Sequence, residues 1–375
     1  MRASITEALA QRLGRPLTDR QLSLFEFWPA SIFYLPVVVR WVMLAIRHRG
    51  LTLPTLANPG IEAGGLCGES KSAILAVLDK AAPDHVARSI VLDTPVFDTA
   101  SAREATSLTA RALSSLRAAG LELPVVAKPD IGCKGTGVRV VRDATALAAY
   151  LGEFPAGERV VLQELVDVDG EAGIFYARRP DEATGRIISM TLKYFPEVIG
   201  DGRSTLRQLI ANDRRAKLLL RIYLPRLAAR LGEVPPAGQP VRLVFVGNHC
   251  KGAVFRDGSA QVTPAMVACF DRIARALPEF YFGRFDVRFS SLAGLKRGEG
   301  FKIIEVNGAG SEATHIWDKN TRLFDAYRTL FEQFDLAFEI GRMNRARGFR
   351  PTGPCALLRL FRRQQDLMSR YPLGE

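Results

Sequence analysis

The stretch GRFDVRF at residues 283–289 decides the fold, together with FKIIEVN at 301–307. Side chains two residues apart in a β-strand share a face, so Arg284, Asp286 and Arg288 lie on one side of the first strand. Phenylalanine and valine occupy the other side, which faces a core. Three charges on one face of an otherwise apolar strand need polar partners. A ligand in a binding site would supply such partners, and water would supply them to an ordinary surface strand.

The second strand carries a carboxylate and an amide at the end of an apolar run. Glu305 and Asn307 share a face there, and burying them without a cation or hydrogen-bond partners would be costly. Mg²⁺ takes oxygen ligands, needs few protein carboxylates and completes its shell with water and nucleotide phosphates. Asp286, Glu305 and Asn307 therefore form the predicted magnesium site.

A glycine-bearing loop, KPDIGCKGTGV, lies between two predicted strands. Gly132, Gly135 and Gly137 allow backbone N–H groups to turn toward an anion, and Lys128 and Lys134 add positive charge. No helix-opening Gly-Lys-Ser/Thr follows at the spacing of a P-loop. The loop is thus predicted to bind an anion in another way.

The pattern of apolar residues predicts a small α/β lobe before this loop and an α+β lobe after it. Turn signals and helix caps separate the segments. The predicted strands are 51–58, 88–93, 124–129, 137–142, 159–166, 172–178, 186–195, 241–247, 283–289 and 301–307, and the predicted helices are 70–78, 101–119, 205–231, 264–277 and 321–340.

Composition indicates a globular protein of two or three lobes. The chain has 375 residues, of which 47% are hydrophobic, and a formal net charge of +12. This charge suits nucleic acid, a membrane surface or a phosphorylated substrate and does not choose among them. Its five cysteines are far apart and form no CxxC pair, which favours reduced thiols and a cytoplasmic setting.

Residues 27–46 form an apolar segment of about the length that spans a bilayer. Pro29 and Pro36 interrupt it and Arg40 charges it. Two interpretations stay open, an interfacial anchor beside the basic residues 47–49 and a buried helix of the first lobe.

The end of the chain is basic. Eight arginines and a single acid, Asp366, lie between Arg342 and Arg370. A solvated basic tail explains this distribution. A peripheral membrane contact shared with residues 27–46 explains it as well.

Four motifs in order resemble those of ATP-grasp carboxylate–amine ligases: KPDIGCKGTGV, VLQELVDVDGE, GRFDVRF and IIEVNGAGS. The resemblance is to D-alanine–D-alanine ligase and to the ATP-grasp module of cyanophycin synthetase. Two further segments extend the resemblance to cyanophycin synthetase: EVIGDGRSTLRQLIANDRR and VRLVFVGNHCKGA. It covers residues 123–319. The chain departs from the family in the loop inserted between 289 and 301 and in the absence of a proline after Asn307.

The resemblance implies an ATP-grasp fold, two α+β lobes clasping ATP, preceded by a small α/β lobe. It implies that Asp286, Glu305 and Asn307 bind two Mg²⁺ or Mn²⁺ ions. It also implies that Arg284 and Lys193 are catalytic and that Lys193 contacts the nucleotide phosphates. Glu164 to Val166 would contact the adenine and Glu171 the ribose. The nucleotide-binding residues would be Lys128, Gly132, Lys134, Gly135, Gly137, Gln163, Glu164, Leu165, Val166 and Glu171.

The expected domains are an apolar segment (1–50), a small lobe (51–122), an ATP-grasp domain (123–340, dividing at 200/201) and a basic tail (341–375). The expected function is joining a small or peptide-like carboxylate to an amine through an acyl phosphate, without nucleic acid as a partner. A phosphotransferase acting on an alcohol is the alternative, and a silent nucleotide-binding scaffold is a further one.

His315 is either a substrate contact or a structural residue, and residues 58–71 form either a substrate loop or a structural turn. Cys133 is either a reactive thiol or a small loop residue.

Overall fold

The computed structural model describes residues 23, 25–95, 102–245 and 247–374, without the side chains of 102–106. Its α-helices are α1 (Ala30–Phe33), α2 (Leu35–Arg47), α3 (Lys71–Ala81), α4 (Ala102–Ala118), α5 (Ala144–Glu153), α6 (Leu206–Asn212), α7 (Leu220–Arg226), α8 (Pro264–Ala276), α9 (Leu292–Lys296), α10 (Leu323–Ala346) and α11 (Pro354–Arg370). Its strands are β1 (Ser89–Asp93), β2 (Val125–Pro129), β3 (Arg139–Val141), β4 (Arg159–Glu164), β5 (Gly170–Ala177), β6 (Arg186–Tyr194), β7 (Glu197–Ile199), β8 (Pro240–Arg242), β9 (Val254–Asp257), β10 (Phe282–Phe289) and β11 (Phe301–Asn307).

One antiparallel sheet has the strand order β1-β4-β2-β3. Helices α4 and α5 cover it, and leucines and valines of both layers form a shared core. The β2–β3 hairpin around the glycine loop is as predicted. Strand β1 and helix α4 precede residue 123, so this sheet draws on both sides of the expected domain boundary.

The second sheet has the order β11-β10-β5-β6-β9, and its strands are antiparallel. The alternation predicted for 283–289 is confirmed, because Phe285, Val287 and Phe289 are buried against α3 and α8. The charged residues between them face the other side. Eleven residues separate the paired strands β10 and β11, and α9 lies in this insertion while the strand ends Phe289 and Phe301 stay paired.

Two interruptions divide the region 205–231, which the sequence predicts as one long helix. The helix predicted there is broken, because Asp213 is extended and its carboxylate accepts from the N–H groups of Arg215 and Ala216, which start a new turn. Pro225 lies inside α7, which ends at Arg226. Interruption by proline and by a side chain that binds backbone N–H groups explains the short pieces.

Two predicted strands are wrong in whole or in part. The segment at 51–58 contains a 3₁₀ helix, Leu53–Leu56, in which Pro54 occupies the first turn, and Asn344 of α10 donates to the Leu56 carbonyl (2.8 Å). Of the described residues in 241–247, only the first two belong to a strand, β8. The Arg242 guanidinium then donates to the carbonyls of Val244 and Phe245, which turns the chain away from the sheet.

The apolar segment at 27–46 forms α1 and most of α2. One side of α2 packs on α10, where Trp41 contacts Phe338 edge-on and Arg40 pairs with Asp335. The other side is exposed and apolar, so the segment is neither fully buried nor fully solvated. No helix in the described part of the chain has the length and hydropathy that crossing a bilayer requires. The exposed apolar side chains are Leu35, Val38, Val39, Val42, Met43 and Ile46.

The basic end of the chain is folded and is not a solvated tail. Helix α11 returns to the first sheet, with Gln364 and Leu367 buried, and its Gln364 side chain accepts from the N–H of Gly68 (2.6 Å). Tyr371 donates to the Ile131 carbonyl (2.8 Å) and stacks on Phe154. The four arginines of α11, Arg359, Arg362, Arg363 and Arg370, lie on the exposed side of an amphipathic helix, which accounts for this part of the charge distribution.

The molecule is thus an α+β protein in which two antiparallel sheets face a common cavity. The resemblance implies two α+β lobes around a common site, and the two sheets are arranged in this way. The Lys128 ammonium of β2 donates to the Ile304 carbonyl of β11 (2.8 Å), which joins the two sheets at the cavity.

Candidate active site

A cavity of about 570 Å³ is lined by residues of both sheets, of the glycine loop and of α1. Its volume is that of a pocket for a small molecule or cofactor. Every sequence-predicted site residue except Glu164 and Gly137 belongs to its lining. The cavity is therefore the candidate active site.

The β10–β11 pair brings the predicted metal ligands together. Asp286 faces Glu305 directly across the two strands, and Arg284 faces Asn307. A bulge follows Asp286 and shifts the register of the residues beyond it. The Asn307 amide donates to Asp286 Oδ2 (3.2 Å), so these polar groups converge on one spot.

Asp286 is buried and is held by two cations. Lys193 Nζ lies 2.8 Å from its Oδ1, and the Arg284 guanidinium reaches both oxygens at 2.9 and 3.1 Å. Burial alone would raise the pKa of this carboxyl, but Arg284 and Lys193 lower it to about 2. Asp286 is therefore an anion at neutral pH.

Lys193 connects Asp286 to Glu171, and Arg288 also pairs with Glu171. Glu171 Oε1 lies 3.2 Å from Lys193 Nζ, and its Oε2 lies 3.5 Å from Arg288 Nη1. The cross-strand register explains these contacts, since Glu171 faces Lys193 on one side and Arg288 on the other. Both Glu171 oxygens are thus engaged in ion pairs, and its predicted ribose contact stays a prediction. With Arg284, the network has three cations for two carboxylates, which suits an anionic ligand.

The donor set fits a hard divalent cation. Asp286 and Glu305 supply carboxylates and Asn307 supplies an amide oxygen, which are ligand types that Mg²⁺ prefers. No cluster of three or more His, Cys, Asp or Glu residues exists among the described residues, so protein groups alone do not complete a cage. Such a sparse set matches an ion that shares its shell with water and phosphates.

The glycine loop is a tight turn with positive φ values. Lys134 and Gly135 have φ of 57° and 65°, the left-handed region that glycine adopts readily. Gly137 is also left-handed, and a Cβ there would lie 2.7 Å from the Pro129 side chain. Only glycine fits this position.

Two lysines lie beneath the loop. Lys128 Nζ donates to Gln163 Oε1 (2.8 Å), and burial lowers its pKa to about 8 although Glu305 opposes the shift. Lys71, at the start of α3, donates to the Gly132 carbonyl and lies 3.6 Å from Glu305 Oε1. A bound phosphate would stabilise the charged form of Lys128, which burial disfavours.

The sequence singled out Lys71 only as part of a possible substrate loop at 58–71, and not as a phosphate contact, because the segment 68–71 fails the P-loop pattern. The position of Lys71 comes from Asp130, whose carboxylate binds the Ser70 hydroxyl (2.8 Å) and the Ser72 N–H (2.8 Å). The Ser70 side chain also caps α3, as predicted. The start of this helix is thereby fixed against the glycine loop.

The predicted adenine-contacting residues lie at the end of β4 and just after it, and not all of their side chains face the cavity. Gln163, Leu165 and Val166 line the cavity. Glu164 points away, because its carboxylate pairs with Arg88 at 3.0 Å. Only the backbone of Glu164 is therefore available for the predicted contact.

Residues from distant parts of the chain complete the lining. The Tyr34 hydroxyl donates to Glu312 at 2.9 Å, and Arg284 Nη1 donates to the Glu312 carbonyl at 2.9 Å. Tyr34 belongs to the segment first considered for membrane contact, and Glu312 follows Asn307 where the family proline is absent. No local pattern marks either residue as part of a site.

The remaining open residues have structural contacts. His315 Nδ1 lies 2.6 Å from the Ser189 hydroxyl, and His315 is outside the cavity lining, which favours the structural role. Burial raises the pKa of the Cys133 thiol, which lowers its reactivity. Asn58 binds the backbone of Tyr281 and Phe282, so at least this part of 58–71 is a structural turn.

Comparison with known proteins gives structural matches alone. No model of a protein family matches the chain, and no curated protein matches it. Three solved structures are similar in part. A bifunctional glutathione synthetase from Pasteurella multocida has 18% identity and a TM-score of 0.35 over 70% of this chain and 36% of its own length. VanG D-Ala:D-Ser ligase from Enterococcus faecalis has 12% identity and a TM-score of 0.41 over 75% of this chain and 64% of its own length. D-cycloserine synthetase DcsG has 15% identity and a TM-score of 0.36 over 71% of this chain and 70% of its own length.

Proposed function

We propose that this protein is an ATP-dependent ligase that joins a carboxylate to an amine and releases ADP and phosphate. The observation that carries the proposal is the position of Arg284 beside Asp286, in a cavity shared with the glycine loop and Lys128. A guanidinium next to the predicted metal ligands is suited to stabilise an acyl phosphate and the oxyanion formed when an amine attacks it.

The nucleotide phosphates would contact the glycine-loop N–H groups, Lys128 and Lys71. Magnesium would be held by Asp286, Glu305 and Asn307, and it would neutralise part of the negative charge on the nucleotide phosphates. Leu165 and Val166 would contact the adenine. Lys193, fixed between Glu171 and Asp286, would add positive charge near the transferred phosphoryl group.

Two steps follow from this arrangement. The carboxylate substrate attacks the γ-phosphorus of ATP, ADP leaves, and an acyl phosphate forms. The amine then attacks the acyl carbon and phosphate leaves, with Arg284 stabilising the oxyanion. Enclosure in one cavity would hold both substrates and ATP together, which removes much of the entropic barrier.

Hydroxylamine trapping tests this reaction. With Mg-ATP, hydroxylamine and a panel of small carboxylic acids and acidic peptides, we expect ADP release and a hydroxamate with at least one acid. The measurement is a coupled ADP assay with mass spectrometry of the product. A phosphate ester that is stable to hydroxylamine, formed from an alcohol, would instead show the alternative function, a phosphotransferase.

The exposed side of α2 supports a second proposal, attachment to the inner face of the cytoplasmic membrane. Its apolar residues recur at helical spacing and face solvent, and they include Ile46, which is 73% exposed. Cations lie at the end of the helix: the Arg345 guanidinium donates to the carbonyls of His48 and Arg49. Burial and the nearby arginines, Arg47 first among them, lower the pKa of His48. An apolar stripe ending in cations fits an anionic lipid surface.

Vesicle flotation tests the attachment. We expect the protein to float with vesicles of phosphatidylglycerol and phosphatidylcholine, and Val39→Gln/Val42→Gln to abolish flotation by removing apolar side chains from the lipid contact. The matched control, Leu218→Gln/Val234→Gln, changes exposed apolar residues outside both basic and apolar segments considered for membrane contact and should float as the unmodified protein does. Failure of the unmodified protein to float would contradict the proposal.

A further inference from the structure

Glu312 is a carboxylate of the cavity lining that the proposed reaction does not use. It accepts hydrogen bonds from the Tyr34 hydroxyl at 2.9 and 3.1 Å and from the Trp317 side chain. Both donors are neutral. Within the described part of the chain, no lysine or arginine side chain forms an ion pair with Glu312.

A carboxylate enclosed without a cation is costly. Burial raises the pKa of Glu312, although Tyr34, His249, Arg284 and Trp317 oppose the shift. The contrast with Asp286 is informative, because Asp286 has two cations of its own and a lowered pKa. Glu312 lacks such a protein partner, so a cationic ligand would stabilise its charged form.

Aromatic rings surround this carboxylate on the cavity side. Trp317 packs against Phe33 with ring centroids 4.7 Å apart and against His249 at 4.5 Å. Tyr34 contacts Phe33 edge-on at 5.0 Å. Phe33 also stacks on Phe25 and Tyr327, so these rings offer an apolar wall to the substituent of an amine, while the carboxylate would bind its charge. The combination of one carboxylate and several rings favours an organic ammonium over a metal ion.

The location relates this group to the proposed chemistry. Arg284 Nη1 donates to the backbone carbonyl of Glu312, so the group that would stabilise the acyl phosphate lies next to it. We infer that Glu312, with the rings of Phe33, Tyr34 and Trp317, binds the ammonium group of the amine substrate. This inference rests on the proposed ligase function and names the class of its second substrate, an amine with an apolar substituent that binds protonated and passes one proton to the Glu312 carboxylate before its nitrogen attacks.

Calorimetric titration with n-butylamine tests the inference, with n-butanol as the uncharged probe of similar shape. At pH 7.5 we expect the unmodified protein to bind n-butylamine at least tenfold more tightly than n-butanol, since a hydrogen bond to a charged group is involved. In Glu312→Gln this preference should disappear, whereas Glu312→Asp should keep part of it. A merely structural role for Glu312 would not change the preference between the two probes.

Glu233→Gln is the matched control, because Glu233 forms an exposed ion pair with Arg230. It should bind n-butylamine as the unmodified protein does, and thermal unfolding will show whether each variant is folded. Equal affinity of the unmodified protein for the two probes would overturn the inference, and so would unchanged n-butylamine binding by folded Glu312→Gln. Calorimetry requires no turnover, so a failed hydroxylamine assay would refute the ligase function separately.

Discussion

Glu305→Gln is expected to lower ATP-dependent turnover at least a hundredfold while leaving the free energy of unfolding nearly unchanged. Removing one group that stabilises transition-state charge costs about 10²–10³ in kcat. The fold should tolerate the change because the Glu305 side chain is 30% exposed and its ion pair with Lys71, at 3.6 Å, is long. Ion pairs with this much exposure contribute little to stability.

Three measurements check this expectation: ADP release, urea unfolding and Mn²⁺ binding in the presence of a non-hydrolysable ATP analogue. Glu305→Gln should weaken Mn²⁺ binding. The control is Glu299→Gln on the neighbouring exposed turn, which removes a carboxylate paired with Arg297 and should change none of the three. Wild-type turnover by Glu305→Gln would show that the metal assignment is wrong.

Asp286→Asn is expected to destabilise the fold by about 3–5 kcal/mol as well as abolish turnover, which is the typical cost of breaking a buried ion pair. The substitution preserves shape and removes charge, so Lys193 and Arg284 lose their common carboxylate partner. Urea unfolding at pH 7 measures the cost. Asp93→Asn, at an exposed strand end, is the control and should change stability by less than about 0.5 kcal/mol.

The pH dependence gives a further check on Asp286. Its pKa is lowered from 3.8 to about 2 in the fold, so its contribution to stability is present above pH 3.8 and is lost as the pH falls toward 2. The stability difference between the protein and Asp286→Asn should therefore shrink in acid. Adding Lys193→Met to Asp286→Asn should recover part of the loss at pH 7, since one unpaired cation is removed. A destabilisation below about 1 kcal/mol would contradict the ion-pair argument.

The sequence predicted the parts of the site that depend on local patterns. Strand alternation identified the polar face of β10, and the same rule placed Glu305 and Asn307 on one face of β11. Glycine spacing identified a loop in which Gly135 and Gly137 have the positive φ values that glycine adopts readily. These signals are readable because side-chain direction in a strand and the conformational freedom of glycine are properties of a few adjacent residues.

Local patterns were less informative where side chains compete with the backbone. Apolar residues at 51–58 suggested a strand, but Pro54 fits a 3₁₀ turn and Asn344 of a distant helix binds that turn. At 205–231 the helical periodicity was present, and Asp213 interrupted it by binding N–H groups. Such outcomes depend on hydrogen bonds that periodicity does not record.

By itself the sequence determined the two-sheet α+β plan, the glycine loop and the polar strands β10 and β11. Only the tertiary structure decided that Lys71 lies below the loop, that Tyr34 reaches Glu312 and that α2 turns an apolar face to solvent. Tyr34 and Glu312 are 278 positions apart in the chain. Periodicity reports which side of an element is apolar, whereas the partner of each side chain is fixed by how the elements pack.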